Sequence, residues 1–209
     1  MKYQGFGTES DFEPCSNQEV LKNKLGITTQ LEINQAENTL LLRLYESVFE
    51  PSFTLTRLKT QTLCDWHRIW LSPLYEWAGH WRTVNMSKDG FLFAAAHLLP
   101  QLLLDFEQKY LCVFSDLHNY TEDELISFLA QSHVELILIH PFREGNGRLS
   151  RLLLDVMSTR AGFTPLDYST WSNDKSTYIK AIHQGMTLDY SLMEQLVRQA
   201  IESQLTTDF

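Results

Sequence analysis

The chain has 209 residues and a formal net charge of −9, with 17 Lys plus Arg against 26 Asp plus Glu. Apolar residues make up 44%, with only 9 Gly and 6 Pro, which excludes a collagen, a low-complexity linker and an extended disordered chain. One domain with a substantial core is expected, and the acidic balance disfavours general nucleic-acid binding while leaving a local basic pocket open.

Residues 1 to about 22 are polar and Gly-containing and are expected to form an irregular lead-in, with the domain proper over 23–209. Leu31 to Val48 has no Gly or Pro and reads as a helix, punctuated by Pro51 and Ser52. Leu55 to Leu71 reads as a second helix, with Leu58, Leu63, Trp66, Ile69 and Trp70 expected inside, and Ser72-Pro73 ends it. Asp89-Gly90 lies between the short runs Thr83–Lys88 and Phe91–Ala94, a strong hairpin signal because both turn positions need positive φ. Helices are then predicted over 95–111, 121–139, 146–161, 174–185 and 189–203, and Thr121 with Glu124 spells a capping box. The fold class is all-α with one β-hairpin.

Cys15, Cys64 and Cys112 are isolated and form no Cys-x-x-Cys pair, which argues against a disulfide framework or a zinc site and suits a reducing cytosol. No signal peptide is visible at the N-terminus, and Ala94 to Leu104 is too short to span a bilayer. A cytoplasmic protein without a membrane partner is therefore expected. Delivery into another cell by a non-cleaved signal stays open.

The chemistry concentrates in His140-Pro141-Phe142-Arg143-Glu144-Gly145-Asn146-Gly147-Arg148-Leu149-Ser150-Arg151. An apolar helix runs into His140, and Pro141 cannot continue it. A helix resumes after the glycines with Leu149, Leu152, Leu153, Val156 and Met157 on one face. The glycines let backbone N–H groups approach a ligand, and the following helix N-terminus favours an anion. Arg148 and Arg151 are three apart at that end, which suits a polyphosphate. Arg151 and Asp155 also stand at i, i+4, so a surface ion pair is the competing reading. Glu144 beside phosphates suits a bridging Mg²⁺, and His140 suits a general base. Phosphoryl or nucleotidyl transfer to a hydroxyl uses all of these parts.

This run resembles the signature of the Fic family of protein adenylyltransferases, His-Pro-Phe-x-Glu-Gly-Asn-Gly-Arg-x-x-Arg, with every signature position filled. Asn23 to Thr28 and Tyr75 to Val84 are similar to the family's entry segment and to the stretch before its hairpin flap, so the resemblance covers roughly residues 23–200. The resemblance implies that His140 takes a proton from a Tyr, Thr or Ser hydroxyl of a target protein, which then attacks the α-phosphate of ATP. Glu144 would hold Mg²⁺. Gly145, Asn146 and Gly147 would form the anion hole, and Arg148 and Arg151 would brace the β- and γ-phosphates. Phe142 would anchor the loop in the core. Ser87 and Lys88 on the flap and Tyr178 would lie near the nucleotide. Met86, Phe91 and Phe93 would dock the target by strand addition.

A sister group of Doc-like kinases has a degenerate anion loop and transfers the γ-phosphate; the intact loop here favours adenylylation. A non-catalytic nucleotide-sensing module has no use for His140 and Glu144. The family's internal inhibitory motif, Ser or Thr, three residues, Glu, then Gly or Asn, is nowhere complete: Glu144-Gly145 has the right ending but belongs to the active loop, and Glu32 and Glu37 each lack one element. Ile33 precedes Glu37 at the hydroxyl position, and Ile33 also follows Glu32 where Gly or Asn belongs. The resemblance then implies inhibition by a separate small antitoxin-like partner, or none, and a toxin role.

Overall fold

The computed structural model describes residues 4–5, 11–50, 55–88 and 90–205, with side chains over 11–50, 55–88 and 90–203. By contact it divides into two compact units. The first comprises the described residues through Leu55, then Lys59–Leu103 and His140–Gly145; the second comprises Thr56–Leu58, Leu104–Ile139 and the described residues from Asn146 onward.

In the first unit, Asn23 organises the entry by donating to the Ile27 carbonyl at 2.8 Å and accepting the Ile27 N–H at 2.9 Å. Helix α1 (Gln30–Val48) starts at Thr29, whose hydroxyl accepts the Glu32 N–H and donates to its carboxylate. Its inner face carries Ile33, Leu44, Val48 and one acid, Glu37. Tyr75 donates to the Glu37 carboxylate at 2.6 Å, and the Trp70 indole donates to its carbonyl at 2.8 Å.

Helix α2 spans Thr60–Leu71, so the predicted helix is five residues too long at its start. The Lys59 N–H donates to the Thr62 hydroxyl, a side-chain cap that favours a start there over a longer helix. Leu63, Trp66, His67, Trp70 and Leu71 are buried at i, i+3, i+4, i+7 and i+8. Ile69 falls off that stripe and is 58% exposed, against expectation, whereas Leu58 is buried outside the helix.

Strands β2 (Met86–Lys88) and β3 (Phe91–Leu92) form the predicted hairpin, pairing Ser87 with Leu92 and Lys88 with Phe91. Gly90 has φ +83°, as its turn position requires, while Asp89 lies outside the described residues. A third strand, β1 (Gln4–Gly5), pairs antiparallel with β2, giving the order β1-β2-β3. The lead-in is thus not wholly irregular: β2 offers it an unpaired backbone edge. Helix α3 (Leu99–Phe106) follows a single 3₁₀ turn and runs on through a π-helical turn to Leu111, within the predicted 95–111.

In the second unit, α4 (Glu122–Ile139) opens on the predicted box: Thr121 accepts the Glu124 N–H, and Glu124 accepts the Thr121 N–H at 2.8 Å. It packs on α5 (Asn146–Arg160) and α8 (Ser191–Leu205). The whole predicted α5 stripe, Leu149, Leu152, Leu153, Val156 and Met157, is buried. Helix α7 (Lys175–Gln184) starts at Asp174, whose carboxylate accepts the Thr177 N–H and is held down to about 2 by those hydroxyl and N–H donors. The short α6 (Ser169–Asn173) was not predicted; the fully buried Trp171 anchors it by donating to the Leu196 carbonyl. Among the described residues the fold is all-α apart from the small sheet, as the sequence predicts. Among the described residues no helix is long and apolar enough to cross a membrane.

Candidate active site

Helix α4 ends at Ile139, and His140 follows at φ +52°. A residue before proline is disfavoured in the helical region, and His140 takes the left-handed alternative at a cost of about 1–2 kcal/mol. Such strain persists only where surroundings enforce it. Here Arg82 does so from a buried position: its Nε donates to the His140 carbonyl at 2.6 Å, and its own N–H donates to the Pro141 carbonyl at 2.8 Å. The imidazole of His140 is buried and stacks on Phe93, with centroids 3.7 Å apart.

Phe142 is buried and stacks on His67 at 4.0 Å, nearly parallel, which makes it the expected loop anchor. His67 accepts the Gly79 N–H at Nδ1, so its Nε2 carries the proton and donates to the Glu144 carbonyl at 3.1 Å. One imidazole thus fixes the middle of the loop to the segment before the hairpin. Gly145 has φ +84°, and a Cβ there would lie 2.7 Å from the Trp70 ring. The fold therefore demands glycine at this position twice over.

Glu144 is half-buried, and its carboxylate accepts the Gly145 N–H at 2.9 Å. Among the described residues no three His, Cys, Asp or Glu side chains gather as a metal cluster. A lone carboxylate fits the way Mg²⁺ binds beside phosphates, through one or two protein oxygens with the rest from phosphate and water.

The chain continues from Gly145 straight into α5, so the second half of the motif occupies that helix's first turns. Asn146 is buried, and Gly147 and Arg148 are partly exposed. A Cβ on Gly147 would meet nothing within 4 Å, so packing does not require glycine there.

Arg151 lies over the rings of Tyr168, Trp171 and Tyr178, at 5.2, 5.8 and 5.9 Å from their centroids. Its Nε is buried with no hydrogen-bond partner among the described residues. The competing i, i+4 pair is not what Asp155 makes of its position: its carboxylate accepts the Leu166 N–H at 2.9 Å and the Tyr168 hydroxyl at 2.8 Å. Beneath this cage His133 bonds Tyr178 through Nε2 and Ser150 through Nδ1, both at 2.8 Å. Burial first, and then the charge of Arg151, push His133 down to about 3, so it is neutral. Burial likewise pushes the Tyr178 phenol up to about 12, although Arg151 opposes this. Tyr178, expected beside the nucleotide, is here a wall of the arginine cage.

The docking residues divide. Met86 is only 2% exposed and offers no side chain to a partner, because its face of the hairpin turns inward. Phe93 covers His140 and meets Phe91 edge-on at 5.3 Å. Ser87 and Lys88 sit in β2, partly exposed. Because β1 lies along β2, the outer strand on the hairpin side of the sheet is β3.

Residues 57–158 match the model of the Fic/DOC family. Over this stretch the chain carries a Fic domain. It is 23% identical over 206 residues to a probable protein adenylyltransferase Fic of Salmonella typhimurium, covering 90% of this chain and 91% of that one. It is 37% identical over 92 residues to a protein adenylyltransferase Fic of Nematostella vectensis, covering 43% of this chain but only 20% of that protein's length. Among solved structures, the BepC protein of Bartonella tribocorum with bound AMPPNP shares the fold at TM-score 0.72 and 22% identity, covering 87% of this chain and 92% of that one.

The sequence assigns no role to His67 or Arg82, although Arg82 lies in the Tyr75 to Val84 stretch that resembles the family. Their roles rest on contacts with residues 77 and 58 positions away, and no local pattern announces such contacts.

Proposed function

We propose that this chain is a protein adenylyltransferase that transfers AMP from ATP to a hydroxyl side chain of a target protein. The observation that carries the reading is Arg151, a guanidinium caged by three rings in place of a carboxylate and one helical turn into α5. A cation that meets no carboxylate among the described residues, close to the amino end of a helix, is prepared for an anion. Arg148, Asn146 and the backbone at Gly145 and Gly147 lie in the same run and suit the remaining phosphate oxygens.

His140 takes the proton from the target hydroxyl. The freed oxygen bonds to the α-phosphorus, and the bond to the β-phosphate oxygen breaks, releasing pyrophosphate. Glu144 is the residue that would hold Mg²⁺, which supplies charge neutralisation on the phosphates when bound. The target adds as a strand along β3, where Phe91 and the 76% exposed Leu92 present themselves. The Fic-named relatives and the AMPPNP-bound neighbour support this reading.

Inhibition by a separate small antitoxin-like protein belongs to the same reading. Both internal candidates have other work: Glu32 closes the α1 cap, and the Glu37 carboxylate accepts from Tyr75.

The test is incubation of the purified chain with Mg-ATP in a cell lysate, with label at the α-phosphate or at the γ-phosphate. The α-label on protein, absent with His140→Ala, is expected. Label from the γ-phosphate alone would place the chain with the Doc-like kinases and overturn adenylylation.

A further inference from the structure

We propose that Arg82 is a positioning residue that locks the base His140 and the hairpin into one rigid piece, an inference that rests on the transfer reading above. Arg82 is 2% exposed. Its three guanidinium nitrogens serve three carbonyls from separate segments: Nε donates to His140 at 2.6 Å, Nη1 to Val84 at 2.6 Å and Nη2 to Ala94 at 2.5 Å. Val84 and Ala94 flank the β2–β3 ladder at its open end, one on each leg. His140 follows directly on the last helical residue of α4, where carbonyls lose their intrahelical donors.

A guanidinium is planar, and its donors hold fixed mutual directions. Satisfying three carbonyls with it therefore fixes the two hairpin legs and the His140 backbone against one another. The Arg82 N–H to the Pro141 carbonyl, at 2.8 Å, adds a fourth tie on the same side. Phe93, next to Ala94, then lands on the His140 ring at 3.7 Å. The left-handed His140 is held in place by the same device. A strand that pairs with β3 is thereby registered to the base without touching it. A lysine cannot replace this device, because one ammonium on a flexible stem fixes no angle among three acceptors.

Every one of these bonds falls within residues 82–94 and 140–141, and none involves the caged Arg151. ATP binding and transfer should therefore separate. In Arg82→Lys, α-label incorporation in lysate is expected to fall roughly 10²-fold, the scale of a misplacement near 1 Å. The calorimetric Kd for ATP is expected to stay within about threefold. Amide exchange should accelerate in 86–94 and 140–145 together and stay unchanged in α4 and α8. Exchange that rises across the whole chain, or in only one of the two segments, would overturn the proposal, as would label within twofold of the parent protein.

The unmodified chain supplies a second test that requires no variant to fold. Slowly exchanging amides of the two segments should share one opening equilibrium, within roughly threefold. Two distinct values would overturn the coupling. If the unmodified chain labels nothing with α-labelled ATP, adenylylation itself fails, and the exchange measurements alone then decide whether Arg82 couples the segments.

Discussion

The two halves of the signature are constrained in different ways. His140 to Gly145 is gripped by the fold: Arg82 holds the first carbonyl, His67 a later one, Phe142 is stacked, and Gly145 abuts Trp70. The helical half is held differently among the described residues: a Cβ on Gly147 would meet nothing within 4 Å, and Arg151 rests on ring faces. The motif therefore does not have one cause. Its first half reads as protein architecture that aims a base, and its second half as a surface shaped for a ligand. Two glycines of the same signature can be required for opposite reasons.

Substitutions can break this division, and the largest effect belongs to the base. His140→Ala should cut transfer by about 10²–10⁴-fold, the usual worth of a general base, while calorimetry finds ATP binding retained. Loss of both together would mean that His140 belongs with the ligand half. Arg151→Ala should weaken ATP about 10- to 100-fold, as expected for losing hydrogen bonds to a charged partner, with little change in melting temperature. A large melting shift with intact ATP affinity would make the cage a structural device. Gly145→Ala should cost about 2–4 kcal/mol in urea unfolding, combining backbone strain with displacement of Trp70. A neutral outcome would remove the claim that the fold sets this glycine.

A further expected effect is in pH dependence. His133 stays neutral in the folded chain down to about 3, whereas an unfolded imidazole takes up its proton near 6.5. The unfolded state then binds more protons across that window, so stability falls as pH drops through it, at most by about 1.4 kcal/mol per pH unit. His133→Gln should flatten the difference between urea midpoints at pH 5 and pH 7; an unaltered difference would assign the dependence to other groups.

The sequence announced the helices whose apolar stripe was regular and whose ends were capped, as α4 and α5 illustrate with Thr121, Glu124 and the Leu149 to Met157 face. It misjudged the start of α2, where one threonine hydroxyl captures a backbone N–H, and the short α6, which rests on Trp171. The chemistry of the signature was legible because those residues are contiguous. Arg82, His67 and the ring cage were not, because each acts through residues distant in the chain, and the burial that makes them matter appears only on folding. The burial of Met86 likewise depends on which face of the hairpin turns inward, and two short strands leave that undecided.

The division of the signature is tested most directly by Gly147→Ala, followed by unfolding and ATP calorimetry on the same preparation. Alanine is the better helix former by up to about 1 kcal/mol, and its methyl meets no protein atom, so stability should hold or rise. ATP affinity should nevertheless fall by about tenfold or more, equivalent to 1.4 kcal/mol. Unchanged ATP affinity in a stable Gly147→Ala protein would contradict the account.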